Sequence, residues 1–202
     1  MYQKLFNSKG RNLLVLVLGS LLLVGCAANQ NNSPPVIAAS KPEVIVSDEM
    51  KQLYEAALQA MNQDRLGQAD SYLQQIIDLE PNISAPYVTR GRIAEMLGDR
   101  ESAQQLYQHA LVVDASNHRA MNQLAMMARE RGEFTEAKKM YERAISIKPD
   151  ESLYHKNYAI LLDMYMGDLE SALEHYELYQ ELHKLPDNRV ALWVVDLKRR
   201  IQ

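Results

Sequence analysis

Cys26 is the only cysteine in this chain of 202 residues, and it stands where an apolar run gives way to polar residues. A single thiol cannot close an intramolecular disulfide. Without a second cysteine nearby, it cannot belong to a thiolate zinc cluster either. The role of Cys26 therefore lies outside disulfide and zinc chemistry.

The histidines show no spacing typical of catalysis or metal binding. No two of them stand at i and i+4, and no His-Glu-x-x-His run occurs. His175 and His183 could share a helical face two turns apart, but no acid or cysteine completes a ligand set with them. Glycine-rich phosphate loops are absent as well. The sequence therefore predicts a protein that is not an enzyme and that uses no metal, cofactor or small-molecule substrate. The other histidines are His109, His118 and His155.

The residues before Cys26 have the layout of a secretory signal peptide. Three cations precede the apolar run 13–24, which is shorter than the roughly 20 residues that a membrane-spanning helix needs. Leu23-Val24-Gly25-Cys26 resembles the lipobox of bacterial lipoproteins. The resemblance implies that residues 1–25 are removed and that Cys26 carries diacylglycerol and fatty acid such as palmitate, a covalent lipid that anchors the protein. The alternative is a buried cysteine in an ordinary core helix.

The residue after the cysteine influences sorting in such lipoproteins, where an aspartate favours retention in the inner membrane. Ala27 carries no such signal, so the resemblance implies the periplasmic face of the bacterial outer membrane. Residues 26–47 are rich in proline and asparagine and lack helical periodicity. They are predicted to form the lipidated end and a disordered tether with a reach on the order of 25 Å. A short edge strand at 44–46 is the alternative.

Cleavage after residue 25 would also change the charge. The cations Lys4, Lys9 and Arg11 are lost with no acid, which leaves 19 Lys and Arg against 26 Asp and Glu, a net charge of −7. A protein this acidic is a poor candidate for sequence-independent nucleic-acid binding. Nucleic acid is therefore not among the predicted partners.

The rest of the chain repeats with a period of 34 residues. Two columns of small residues keep this spacing, and bulky residues and turn signals recur between them. The columns are Ala57, Gly91, Ala125 and Ala159, and Ala69, Ala103 and Ala137. Such a period predicts units that bury their apolar faces only by stacking on one another.

The repeated residues resemble the tetratricopeptide repeat, a helix-turn-helix unit of 34 residues. The third copy is the clearest, with small, turn, aromatic and proline residues at the expected places: Ala125, Gly132, Phe134, Ala137, Tyr141, Ala144 and Pro149. The resemblance implies an all-α fold, an α-solenoid of about four repeats. The predicted repeats span 50–83, 84–117, 118–151 and 152–186. A bundle of unrelated amphipathic helices is the alternative.

The fourth repeat departs from the period. Gly167 stands 35 residues after Gly132, whereas Ala159 keeps the spacing of 34 from Ala125. One inserted residue is therefore predicted near 164–166, as a longer last turn or a bulge. Residues 187–202 are predicted to form a C-terminal capping helix that starts at the N-cap Asp187 and has a polar outer side.

The first helix of each repeat lines the concave face in the family that this chain resembles. Counting from the core columns gives the predicted protein-binding groove: Tyr54, Leu58, Met61, Val88, Arg92, Glu95, Asn122, Met126, Arg129, Lys156, Ile160 and Asp163. The lining begins apolar and becomes mixed and charged. This gradient suits an amphipathic helix or an extended peptide of a protein partner.

Repeat lipoproteins of this size are similar to the assembly factors of type IV and Tad pili, which help a secretin ring form. They also resemble adaptors that dock peptidoglycan enzymes and accessory proteins of TonB and ExbB complexes. The fold and the anchor favour all three classes, and no individual residue distinguishes one class from the others. Pilus or secretin assembly is the first hypothesis.

Overall fold

The computed structural model describes residues 46–202, and this part of the chain is helical without strands. The prediction of an all-α fold is therefore confirmed. Cys26, the signal peptide and nearly all of the tether lie outside the described residues. The helices are α1 Asp48–Asn62, α2 Leu66–Leu79, α3 Ser84–Met96, α4 Arg100–Val113, α5 His118–Glu130, α6 Phe134–Ile147, α7 Ser152–Leu161, α8 Leu169–Leu182 and α9 Asn188–Ile201.

The helices pack in consecutive pairs. Each odd-numbered helix from α1 to α7 packs most extensively on the helix that follows it, and each pair packs on the next. The last helix, α9, packs on α8. This arrangement is the α-solenoid with a C-terminal capping helix that the repeat period predicts. None of the helices in 46–202 is long and apolar enough to cross a membrane.

Small residues lie where two helices of a pair approach each other. The alanines of both columns are fully buried, and they belong to the same core clusters as a large tyrosine or leucine of the second helix. At Gly91 even a methyl group has no room, because an added Cβ would lie 2.5 Å from the ring of Tyr107. The small columns therefore set how close the helices come, as the period implies.

The turns between paired helices use a left-handed residue. Gly98, Gly132 and Gly167 have φ between 69° and 81°, and Asp64 takes the matching place in the first pair with φ 57°. Without a Cβ, glycine adopts this conformation at little cost. Side-chain caps then start several helices, for example Asp99, which accepts a hydrogen bond from the Ser102 amide at 3.0 Å. Local sequence thus defines where each helix ends and begins.

The inserted residue of the fourth repeat forms a π-helical turn. Residues Leu162–Met166 continue α7 with π geometry, and the Asp168 amide closes the turn by donating to the Leu162 carbonyl at 3.1 Å. The predicted bulge near 164–166 is confirmed. Met164 and its neighbour Tyr165 are exposed on this turn, and Tyr165 packs against Phe134 with ring centroids 5.0 Å apart.

The C-terminal helix α9 begins at the predicted cap. Asp187 accepts hydrogen bonds from the amides of Arg189 and Val190. Its buried face, Val190, Val194 and Leu197, packs into the core of the last repeat. The outer side is less polar than predicted, because Leu192 is 70% exposed and Val195 is 49% exposed. The cap thus ends the core without presenting a uniformly polar surface.

Candidate protein-binding groove

The first helices of neighbouring repeats lie side by side and are joined by hydrogen bonds. The Tyr54 hydroxyl of α1 is 2.8 Å from the Thr89 hydroxyl of α3. Between α5 and α7, the Asn157 amide donates to the Asn122 side-chain oxygen at 3.1 Å. Both pairs are separated by 35 residues in sequence. These contacts align the first helices in a row, on which the predicted groove residues lie.

The N-terminal part of this row is apolar. Leu58 is exposed, and Tyr54 and Met61 are half-buried beside it. A pocket of about 280 Å³ opens next to Tyr54, between α1 and α3, with Ile76 and Ile83 among its mainly apolar lining residues. An apolar side chain of a partner would fit here, as it does in helix-in-groove recognition.

Two predicted lining residues are buried in the core. Val88 is 5% exposed and belongs to the same core cluster as Leu124 of α5. Asn122 is 8% exposed and accepts a hydrogen bond from Asn157 of α7. They support the surface and present little of themselves to a partner. Arg92 is exposed, and Met126 and Ile160 are half-buried. Met126 contacts the amide nitrogens of Asn122 and Asn157 through its sulfur at 3.6 Å.

Three of the predicted groove charges are paired within the protein. Glu95 accepts a hydrogen bond from the Tyr107 hydroxyl at 2.7 Å. Asp163 forms an ion pair with Arg200 of α9 at 2.8 Å.

Lys156 is the third paired charge. Its ammonium lies 3.4 Å from the Asp187 carboxylate and 4.7 Å above the centre of the Tyr179 ring. The cap residue Asp187 thereby ties α9 to α7.

Two arginines of the groove are unpaired within the described residues. Arg92 and Arg129 make no hydrogen bond or ion pair with any other residue in 46–202. Because the acids Glu95 and Asp163 are already engaged, the groove offers positive charge to a partner. The acidic balance of the whole chain does not reveal this, since it averages over all surfaces.

A pair of histidines joins the two helices of the fourth repeat. His155 Nδ1 and His175 Nδ1 are 2.9 Å apart, and His155 Nε2 donates to the Pro149 carbonyl at 2.9 Å. His155 therefore accepts at Nδ1, and His175 donates from its own Nδ1. The sequence grouped His175 with His183 instead, since only the packing of α7 on α8 brings the true partner near. No group of three potential metal ligands occurs among residues 46–202.

We expect acid to destabilise the fold through this pair. Burial and the neighbouring His155 lower the pKa of His175 below its usual value, against the opposite effect of nearby carboxylates such as Glu174. The unfolded chain therefore binds a proton more readily, and stability falls as the pH drops through and below about 6.5. Urea unfolding at pH 7.5 and 5.5 measures the change.

The variant His175→Gln is expected to reduce the difference in urea midpoint between the two pH values. His118, whose pKa is also lowered mainly by burial, supplies part of the remaining slope. An unchanged pH dependence in His175→Gln would contradict this assignment.

A family model described as the tetratricopeptide repeat matches residues 119–148, which include all of α6 and all of α5 except its first residue. The matched segment thus corresponds to the helix pair of the third repeat, α5 and α6. One segment of the chain therefore matches the tetratricopeptide repeat, and the described residues have the fold of such repeats. Proteins with this repeat are generally non-enzymatic scaffolds for protein interactions, and this chain has that architecture.

Solved structures show the same fold at low sequence identity. PilF of Pseudomonas aeruginosa superposes with a TM-score of 0.66 at 19% identity, covering 75% of this chain and 68% of PilF. MamA of Desulfovibrio magneticus RS-1 superposes with a TM-score of 0.61 at 15% identity, covering 77% of this chain and 87% of MamA. At such identities the likeness concerns the tetratricopeptide-repeat fold alone.

Two human proteins match parts of this chain in sequence. Protein O-mannosyl-transferase TMTC3 is 31% identical over 102 residues, which are 50% of this chain. Tetratricopeptide repeat protein 7A is 34% identical over 91 residues, which are 45% of this chain. The match spans 11% of each human protein, so it concerns the repeats and leaves most of both relatives unmatched.

Proposed function

We propose that this protein is a lipid-anchored scaffold, without enzymatic activity, that binds a segment of another protein in the groove of its first helices. The observation that carries the proposal is the aligned row of first helices. Its N-terminal part is apolar, and it carries two arginines that have no partner among residues 46–202. An open surface of this kind suits an amphipathic helix or extended peptide.

The anchor in this proposal is acylated Cys26 at the periplasmic face of the outer membrane. The lipobox-like run 23–26 and the absence of aspartate at Ala27 support it. Each buried acyl methylene contributes about 0.8 kcal/mol, so two or more chains hold a protein at a bilayer. The tether 27–47 then lets the repeats work at a distance on the order of 25 Å from the lipid.

In this proposal the protein takes part in the assembly of a type IV or Tad pilus or of its secretin. The superposition on PilF, whose name points to pili, favours this choice among the three envelope systems. Docking of peptidoglycan enzymes and a role beside a TonB and ExbB complex are the alternatives that the same experiment tests.

Site-specific photo-crosslinking in living cells tests the groove and the system together. A photoreactive amino acid at Arg92, which is exposed on α3, is expected to capture a pilus or secretin component. The control position is Val112, which is 80% exposed on the second helix α4. A probe at Val112 should capture that component at least several-fold less.

The identity of the captured protein decides between the systems. If the probe at Arg92 captures a peptidoglycan hydrolase or a subunit of a TonB and ExbB complex, the pilus assignment is wrong and the proposed groove still holds. Equal capture from Arg92 and Val112, or capture from Val112 alone, would contradict the groove itself.

A further inference from the structure

A buried tyrosine occurs at the same place in the second helix of three repeats. Tyr107, Tyr141 and Tyr176 are each at most 1% exposed. In the second repeat the Tyr107 hydroxyl donates to Glu95 of the first helix. The matching residue in the fourth repeat is again an acid, Asp163, which acts on Tyr176 electrostatically. These repeats thus place a carboxylate of their own near the tyrosine.

The third repeat has an arginine where the others have an acid. Arg129 stands 34 residues after Glu95 and 34 before Asp163. The hydroxyl of Tyr141 is buried without any hydrogen-bond partner in the described part of the chain, and so is Nη1 of Arg129. The equivalent positions of the second repeat, Tyr107 and Glu95, are in hydrogen-bond contact. In the third repeat burial raises the pKa of Tyr141 to about 12, and the positive charge of Arg129 partly offsets this rise.

Two buried donors without an acceptor are unfavourable. A buried polar group that lacks a partner typically costs about 1–3 kcal/mol. An oxygen that accepted from both would remove this cost, and a carboxylate would also neutralise the arginine through charge-assisted hydrogen bonds. No acid of the groove is available, since Glu95 and Asp163 are engaged elsewhere. A carboxylate supplied by a bound partner would therefore satisfy both donors.

We propose that Arg129 and Tyr141 form a subsite for the carboxylate of an acidic side chain on the bound partner, which reaches the two buried groups when the half-buried guanidinium of Arg129 turns towards solvent. Arg129 is only half-buried, so part of its side chain faces solvent along the groove. Arg92, the other unpaired arginine, lies one repeat earlier and extends the positive surface towards the apolar end. The inference rests on the proposed groove and adds the chemistry of its occupant. The occupant is a segment that has acidic side chains next to Arg92 and Arg129 and apolar side chains next to α1, and it can run in either chain direction.

Sodium acetate is the probe for the subsite, with neutral acetamide as the isosteric control. The full chain in detergent micelles is labelled with ¹⁵N-arginine, and the ionic strength is held constant with sodium chloride. Acetate is expected to shift the Arg129 side-chain Nε–Hε signal saturably, with a half-saturation on the order of 10 mM. Acetamide should not shift it, and the exposed Arg199 should not respond to either compound.

Variants separate binding from folding. Tyr141→Phe should weaken acetate binding several-fold without lowering the Tm, since it removes an unpaired hydroxyl. The matched change Tyr107→Phe should lower the Tm, because it breaks the hydrogen bond to Glu95. Arg129→Glu should abolish the acetate response and raise the Tm by about 3 °C, because it supplies the acceptor within the repeat.

Absence of a saturable shift at Arg129, or equal shifts at Arg129 and Arg199, would overturn the subsite. A fall in Tm for Tyr141→Phe as large as that for Tyr107→Phe would overturn it too. These failures leave the groove standing if Arg92 still captures a partner in cells. Conversely, acetate bound at Arg129 with no capture from Arg92 would support the subsite and count against the proposed function.

Discussion

Replacing Gly91 with alanine is expected to destabilise the protein by about 1–3 kcal/mol, the usual range for an overpacked core. The new Cβ would lie 2.5 Å from Cε1 of Tyr107. This ring cannot move aside easily, because Tyr107 is fully buried and its hydroxyl is held by Glu95. Chemical denaturation of the variant, monitored by circular dichroism, measures the effect.

The same change at Gly67 is the matched control. Gly67 lies in the first turn of α2 with no atom near its missing Cβ. Alanine is favoured over glycine within a helix by roughly 0.5–1 kcal/mol, so Gly67→Ala is expected to stabilise the fold slightly. If Gly91→Ala lowers the free energy of unfolding and Gly67→Ala raises it, the loss at Gly91 is due to packing. A neutral or stabilising Gly91→Ala would show that the helices can separate without loss.

Replacing Cys26 with serine is expected to abolish acylation and with it the lipid anchor. Serine has no thiol to alkylate, and the proposed attachment depends on that sulfur alone. Metabolic labelling with an alkyne analogue of palmitate in a bacterium with two membranes measures the effect. The native chain should be labelled, whereas Cys26→Ser should lose essentially all label.

A second variant tests the sorting part of the same proposal. Ala27→Asp should keep the label but move the protein from the outer to the inner membrane in density-gradient fractions. Label retained in Cys26→Ser would contradict the assignment of the anchor to this residue. An inner-membrane location of the unchanged protein would contradict the sorting inferred from Ala27.

These two sites act at different levels. Gly91 determines how closely α3 and α4 pack and therefore the stability of the row that carries the groove. Cys26 bears on where that row is placed in the cell. The groove and the anchor are separable, so loss of the anchor should leave binding in purified protein unchanged.

The sequence alone determined the fold to a large extent. Each repeat packs mainly within itself and on its neighbours, so a period of 34 with small residues at fixed places carries most of the architecture. The inserted residue before Gly167 also followed from spacing, because one extra residue must be absorbed locally. The helix cap at Asp187 was predictable for the same reason, since capping involves only adjacent residues.

Only the tertiary structure decided which groove residues are available to a partner. The pairs Asp163 with Arg200 and Lys156 with Asp187 join residues more than 30 positions apart, and no period connects them. The histidine pair and the burial of Val88 and Asn122 depend likewise on how two helices meet. Hydrogen bonds and ion pairs act over about 3–4 Å. A sequence pattern predicts on which face of a helix a side chain lies, but it does not predict the distance from that side chain to a residue of another helix. For this reason only the structure shows that Arg129 Nη1 and the Tyr141 hydroxyl lack a hydrogen-bond partner within the described residues.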